Sequence, residues 1–209
     1  MTLAILGAGS VGAALGQRFT ETGHRIVFGT RPGKDLNELL AQCGDRARQA
    51  SVAEAVNAAE VVFHAVPSEV AVEALAVAEL SGKIVVDCTN PLAWDDGPVW
   101  DPPAEGSVTA QLAAAYPQAR WVKGFATFGA AFHRHPTLAG PPVEVHLASD
   151  DDGAKARVAD IAQATGFSPV DCGPLRNAAV LENLAILWIH LASAGGHGRE
   201  FAFQMLKKG

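Results

Sequence analysis

Gly7-Ala8-Gly9-Ser10-Val11-Gly12 sits between a short apolar run, Met1 to Leu6, and a helix-forming stretch, Ala13 to Thr22. A G-x-G-x-x-G motif that closes a buried strand and opens a helix is the signature of a dinucleotide site. Gly7 permits the tight turn, Gly9 lets a pyrophosphate approach the backbone, and Gly12 lets the helix pack closely on its strand. The phosphates then meet free N–H groups at the positive end of the helix dipole. Few folds other than a strand-alternating α/β sheet can use such a segment.

The next strand, His24 to Phe28, ends in Gly29-Thr30-Arg31-Pro32-Gly33-Lys34. NAD sites usually carry Asp or Glu here, about 20 residues past the glycines, to hold the ribose 2′-OH. This chain offers a hydroxyl, a guanidinium and an ammonium instead. Such charge-assisted donors suit a 2′-phosphate, and Arg can also stack on the adenine. The loop therefore predicts NADP(H) in preference to NAD(H).

The rest of the chain continues the alternation. The spacing predicts a helix over Lys34 to Cys43, a helix opened by a Ser51/Glu54 capping box, and a strand over Glu60 to Val66. A helix capped by Ser68 should run to Leu80, followed by a strand from Lys83 to Asp87 and a helix from Ser107 to Ala115. Further strands are expected at Trp121 to Phe125, Val143 to Ala148 and Ser168 to Asp171. Ser149 reads as the cap of a helix with Asp150, Asp151 and Asp152 in its first turn. Thr127 to His135 is turn-rich, and Ala93 to Gly106, with Trp94 and Trp100, reads as a long loop that packs on a substrate or a partner subunit. Leu175 to Ala192 should form an apolar helix, buried on its own domain or on a second subunit. Gly195 to Gly198 would be a hinge before a final short helix. The fold class is α/β, a Rossmann-type doubly wound parallel sheet with a small C-terminal helical segment. The division falls at residues 1–172 for the nucleotide-binding domain and 173–209 for the helical segment.

Composition narrows the function classes. With 209 residues, 49% hydrophobic and 18% charged, the chain can bury a sizeable core, and a net charge of −6 provides no basic footprint for nucleic acid. Cys43, Cys88 and Cys172 are odd in number and widely spaced, which fits reduced thiols in a cytoplasmic protein and no metal site. The first strand begins at residue 1, so no signal peptide is expected, and the apolar stretch Leu184 to Ala192 is too short to span a bilayer. Tyr116 is the only tyrosine, so a Tyr-x-x-x-Lys pair is excluded. His133-Arg134-His135 is the polar cluster from which a general acid, His133 or His135, could come if hydride were delivered to a carbonyl or imine. Both otherwise read as solvated loop residues, and His64 as a hydrogen-bonded core histidine.

Several further segments occur in a familiar order: Ala65-Val66-Pro67, Asp87-Cys88-Thr89-Asn90-Pro91-Leu92, and Asp171-Cys172-Gly173-Pro174-Leu175-Arg176-Asn177, followed by Leu181-Glu182 and a Leu-Trp-Ile helix. With the glycine motif and Gly29-Thr30-Arg31, they make the chain resemble, nearly end to end, the F420-dependent NADP reductase family, which is related to the reductase domain of the STEAP ferric reductases. The resemblance implies NADP(H) held by Ala8, Ser10, Val11, Thr30, Arg31 and Lys34, with Val66, Pro67, Asn90 and Pro91 on the nicotinamide side. It also implies hydride transfer between NADPH and a deazaflavin (F420) or a flavin (FMN or FAD), in a homodimer whose terminal segment borders the second-substrate cleft. Ala126 stands where many relatives carry Asn. A reductase of small carbonyls or imines, and a non-catalytic NADPH-sensing protein, are the alternatives. The partner expected in either enzyme reading is a small-molecule co-substrate, with no membrane and no nucleic acid.

Overall fold

Four short apolar segments, one that mixes charge with bulk and one polar edge segment form a single parallel sheet. They are β1 (Thr2–Leu6), β2 (Arg25–Thr30), β4 (Val61–His64), β5 (Ile84–Asp87) and β8 (Arg120–Lys123), joined at one edge by the polar β3 (Ala47–Ser51), in the order β3-β2-β1-β4-β5-β8. The computed structural model describes residues 1–137 and 140–208. The strand order reverses between β1 and β4, and in doubly wound sheets that switch point marks the ligand crevice at the strands' carboxyl ends. Central strands of such sheets are covered on both faces, so their sequences are continuous apolar runs.

Alternate side chains divide between the two faces. Leu3, Ile5, Phe28, Phe63, Val86 and Val122 meet one helical layer, formed by α1 (Ser10–Glu21), α2 (Asn37–Cys43), α6 (Ala130–Arg134) and α7 (Asp152–Ala164). Ala4, Leu6, Val27, Val62, Val85 and Trp121 meet the other, formed by α3 (Val52–Asn57), α4 (Ala71–Leu75) and α5 (Val108–Ala115). In the first layer the rings of Phe19, Phe63, Phe125 and Phe167 form a chain of edge-on and tilted contacts with centroids 4.8 to 5.4 Å apart. Such pairs add about 0.5–1.5 kcal/mol each beyond their area burial.

Beyond β8 the chain leaves the main sheet. Lys123 and Ala148 form a single antiparallel bridge, and β9 (Glu144–Leu147) pairs in parallel with β10 (Ser168–Asp171). A 3-10 turn at Leu175–Asn177 leads into α8 (Ala178–Ala192). Among the described residues, no helix is long and apolar enough to cross a membrane.

Several elements differ from the sequence expectation, each for a local reason. β3 was hidden because Ala47-Arg48-Gln49 is polar, as befits an edge strand. The Ser51/Glu54 capping box forms as expected, with Ser51 N–H donating to Glu54 Oε2 at 3.0 Å. The Lys34 to Cys43 helix begins only at Asn37, because Asp35 Oδ1 instead takes the Asn37 N–H at 2.8 Å. Ser68 makes no side-chain cap, and its segment is a 3-10 turn followed by the short α4, ending at Leu75 and not Leu80. Ser149 does not cap α7 either. Its Oγ donates to the Trp121 carbonyl at 2.6 Å, and Asp151 is the cap, accepting from Ala154 N–H at 2.8 Å.

The tryptophan segment is not an irregular loop. It folds as an antiparallel hairpin, β6 (Leu92–Trp94) and β7 (Pro98–Trp100), turned by Asp96 and Gly97 at positive φ, with β7 packed on α8. Thr127 to His135 contains the helix α6, and the expected final helix is absent, because residues 199–208 run on from α8 without regular secondary structure.

Candidate functional site

The glycine segment forms a bare helix N-terminus at the carboxyl ends of β1 and β4. Gly9 is the N-cap of α1 and provides no side-chain hydrogen bond, so the first amides of that helix face outward without a side-chain acceptor. Gly7 adopts φ +91°, and a Cβ there would stand 2.5 Å from the Ala65 carbonyl oxygen. A Cβ on Gly12 would lie 2.0 Å from the Gly7 carbonyl oxygen, whereas one on Gly9 would meet nothing within 4 Å. Gly7 and Gly12 are thus required by packing. Gly9 is required by nothing in the protein itself and leaves the space a pyrophosphate needs. The residues present fit a dinucleotide.

Beside this segment lies an open cleft of about 420 Å³ between Ala8 and Ala13 on one side and Lys34, Leu36 and Leu39 on the other. Thr30 ends β2, and in the loop that follows Arg31 and Lys34 are exposed to solvent, Lys34 lining the cleft. Gln49, a β3 residue that the sequence did not single out, reaches across to Thr30. A second cavity, of about 470 Å³, is lined by Asn57, Glu60, Ser81 and Lys83 at the amino ends of β4 and β5. It is remote from the glycine segment, and the cleft at the carboxyl edge is the one with cofactor geometry.

On the far side of the switch point, Val66, Pro67, Asn90 and Pro91 follow the carboxyl ends of β4 and β5. Asn90 Nδ2 donates to the Ala126 carbonyl at 3.0 Å, which ties this edge to the segment after β8. Asn90 Oδ1 is buried and has no hydrogen-bond partner among the described residues.

Directly beneath this edge is a fully buried ionic cluster that sequence patterning concealed. Lys123 Nζ donates to Asp87 Oδ2 at 3.0 Å, to Glu182 Oε1 at 3.2 Å and to the Thr89 carbonyl. Asp87 Oδ1 also accepts from the Thr89 N–H at 3.0 Å and from the Thr89 hydroxyl at 2.7 Å, and Oδ2 accepts from Thr109 at 2.6 Å. Glu182, on α8, takes the Val108 N–H at the start of α5 at 3.0 Å. Burial pushes the Asp87 carboxyl up, but the Lys123 ammonium, His64 and the Thr109 hydroxyl together outweigh it and hold Asp87 well below the usual carboxylate range. Burial likewise pulls Lys123 down, and the carboxylates of Asp87 and Glu182 more than reverse it. Burial raises Glu182, which Lys123 only partly offsets. The cluster fastens α5, α8 and the Thr89–Asn90 turn to the strands below.

The histidines do not behave as the sequence suggests. His64 is fully buried with its Nδ1 3.7 Å from Asp87 Oδ1, longer than a hydrogen bond, so it is a core residue without the close partner expected of it. His133 is not solvated. It is buried on α6, and its Nε2 lies 2.8 Å from the carbonyl oxygen of Phe125, so it must carry the proton that the carbonyl accepts. Phe125 has φ +57°, a rare conformation for a residue with a side chain. Burial depresses His133 to about 4. A neutral imidazole committed to a backbone carbonyl is not poised to deliver a proton to substrate. His135 is exposed, and the next residue, Pro136, packs near Arg18 and Gly166, far along α1 from its glycine-rich start.

The terminal segment crosses the outer side of the site. Trp188 Nε1 donates to the Phe201 carbonyl at 2.8 Å, and the two rings stack with centroids 5.3 Å apart. The Met205 N–H donates to Glu144 Oε2 at 2.9 Å. Trp188 approaches so closely that a Cβ on Gly129 would stand 2.6 Å from its ring. The tail therefore runs past Trp188, Gly129 and Glu144.

Comparison with known proteins agrees with this architecture. Residues 2–91 match the family described as NADP oxidoreductase, coenzyme F420-dependent. The F420-dependent NADP reductase of Methanothermobacter marburgensis is 27% identical over 214 residues, covering 91% of this chain and 92% of that one. A crystal structure from Arthrobacter sp. FB24, described as a candidate F420-dependent NADP reductase, is 29% identical with a TM-score of 0.88, covering 99% of this chain and 100% of that one. Metalloreductase STEAP3 of Rattus norvegicus is 31% identical over 186 residues, covering 87% of this chain. The chain spans only 36% of the length of that metalloreductase.

Proposed function

We propose that this chain, which matches the coenzyme F420-dependent NADP oxidoreductase family over residues 2–91, is an NADP-dependent oxidoreductase whose reaction is hydride exchange between NADPH and a deazaflavin or flavin. The observation that carries this reading is the state of His133. The sequence-level candidate for a proton donor is buried, neutral and bonded to the Phe125 carbonyl. A carbonyl or imine substrate would need a donor at the reacting atom, whereas a flavin-type ring manages protons on its own nitrogens.

In this reading the bare N-terminus of α1 receives the pyrophosphate through Ala8 to Gly12, and Thr30, Arg31 and Lys34 take the 2′-phosphate. Val66, Pro67 and Pro91 bound the nicotinamide, and the unpartnered Asn90 Oδ1 accepts from its carboxamide N–H. When bound, NADPH supplies a hydride, two electrons and one proton, from its nicotinamide C4. The chain's task is to hold two rings face to face and exclude water, a contribution of proximity and orientation. The acceptor ring takes the space between the Ala126 edge, the tryptophan hairpin and the terminal segment. The exposed α8 stripe of Val180 and Leu187 is the surface through which two copies would pair. The three free thiols fit a reducing cytoplasm.

NADPH oxidation by the pure protein, followed in parallel with F420, FMN, FAD and no acceptor, tests the reading. Rapid turnover with F420 or a flavin is the expected result. Tight NADPH binding with no oxidation in any of the four would overturn it in favour of a carbonyl reductase or an NADPH sensor.

A further inference from the structure

We infer that Gln49 is a specificity-determining residue that sets the polarity of the Thr30 hydroxyl and so selects a phosphorylated ribose. The inference rests on the reading that Thr30, Arg31 and Lys34 face the 2′-phosphate. Gln49 projects from β3, whose neighbour β2 ends at Thr30. One atom of its amide lies 2.7 Å from Thr30 Oγ1 and 2.7 Å from the Lys34 carbonyl oxygen.

The Lys34 carbonyl can only accept, so the amide atom facing it must be the nitrogen. That nitrogen has two hydrogens, and both are now assigned, one to Lys34 and one to Thr30. Thr30 Oγ1 is thereby an acceptor toward Gln49, and its own proton is turned to another partner. Among the described residues none takes that proton; Thr30 Oγ1 is engaged only by Gln49. The end of β2 and the loop after it therefore present donors: the Thr30 O–H, the exposed Arg31 guanidinium and the exposed Lys34 ammonium. A phosphate, whose oxygens accept, matches this set. The same contact between Gln49 and the Lys34 backbone holds the loop that carries both cations.

A carboxylate at position 49 would have nearly the same shape and the opposite polarity. It would draw the Thr30 proton inward, face the Lys34 carbonyl acceptor to acceptor, and add a negative charge beside the 2′-phosphate. The familiar acidic selector for NAD sits at the end of the second strand. In this chain the equivalent decision is made from the adjacent strand, which explains why no motif exposes it.

The test measures dissociation constants of NADPH and NADH, and of 2′,5′-ADP and 5′-AMP, for the wild type, Gln49→Glu, Gln49→Met, Thr30→Val, the Gln49→Met/Thr30→Val pair and Arg31→Ala. Gln49→Glu should weaken NADPH and 2′,5′-ADP by about 10- to 100-fold, the span of one charge-assisted hydrogen bond, with NADH and 5′-AMP nearly unchanged. Gln49→Met should lower the NADPH/NADH preference in the wild-type background and lower it by less in the Thr30→Val background, because only the contact with the Lys34 carbonyl is then left to lose. NADH and 5′-AMP report whether each variant is folded. Equal losses for both cofactors in Gln49→Glu, or an undiminished Gln49→Met effect without the Thr30 hydroxyl, overturn the inference. Equal losses in Arg31→Ala would instead sink the 2′-phosphate reading, so the two failures are distinguishable.

Discussion

Lys123 Nζ and Asp87 Oδ2 are 3.0 Å apart with both side chains fully buried, beneath the turn that carries Asn90. A buried pair of this kind is a weak source of net stability while intact, since desolvating two charges offsets their attraction. Breaking it is another matter, because the charge left behind has no water to return to.

Lys123→Met should therefore cost about 3–5 kcal/mol, the range for removing one member of a buried ion pair, as it strands both Asp87 and Glu182. Glu182→Gln should be milder, because the amide oxygen can still accept from the Val108 N–H. Urea unfolding followed by circular dichroism reads both. A Lys123→Met protein within about 1 kcal/mol of the wild type would mean that the cluster is hydrated or protonated in solution.

His133 predicts a pH dependence whose sign can be worked out. Its folded-state value, about 4, lies below its ordinary value of 6.5, so the unfolded chain binds the proton more readily. The stabilisation is fully present above about pH 6.5 and is lost as pH falls toward 4. Across that window the loss approaches about 3 kcal/mol, because each tenfold difference in proton affinity is worth about 1.36 kcal/mol. His133→Gln, which can still donate to Phe125 but does not titrate, should flatten the slope. Melting temperatures between pH 7 and 4.5 compare the two proteins, and parallel curves would place the acid sensitivity elsewhere.

The three glycines of the first turn should separate by the reason each is there. Gly12→Ala places a methyl 2.0 Å from a backbone carbonyl, and Gly7→Ala adds a φ of +91° to a similar clash. Both should lower the melting temperature by several degrees. Gly9→Ala meets no atom of the protein, so the melting temperature should hold while NADPH affinity falls on the order of tenfold, about 1.4 kcal/mol. Undiminished NADPH affinity in Gly9→Ala would move the pyrophosphate away from this turn.

Much of this frame was readable because it depends on local rules. The strand–glycine–helix segment, the parallel alternation and the Ser51/Glu54 box are set by neighbours in sequence, and the family motifs pointed to Thr30, Arg31 and Asn90. What escaped depends on pairs distant in sequence. Nothing local to Lys123 tells that its ammonium will be buried against Asp87 and, from another helix, Glu182. Gln49 looks like a surface residue until β3 is placed beside β2. The tryptophan hairpin escaped for a different reason: its prolines and aspartates resemble loop composition, and only packing against α8 makes it a pair of strands. His133 escaped because the turn-like composition around it concealed a helix with a buried face.

The terminal segment supplies the last prediction, because it separates the two substrates. Phe201 stacks on Trp188, which in turn presses against Gly129, while Met205 is fastened to Glu144. None of these residues belongs to the glycine segment or to the loop after Thr30. Phe201→Ala removes one stacked pair, about 0.5–1.5 kcal/mol, and loosens the tail beside Gly129. If the acceptor ring lies there, its KM should rise by about 2- to 10-fold, the same energy expressed as affinity, while NADPH binding stays within about 2-fold of the wild type. Steady-state kinetics with F420 or FMN at saturating NADPH, beside a direct NADPH titration, provide both numbers. An equal weakening of NADPH would show that the tail braces the nucleotide half of the site, and the acceptor would then have to be sought on the hairpin side.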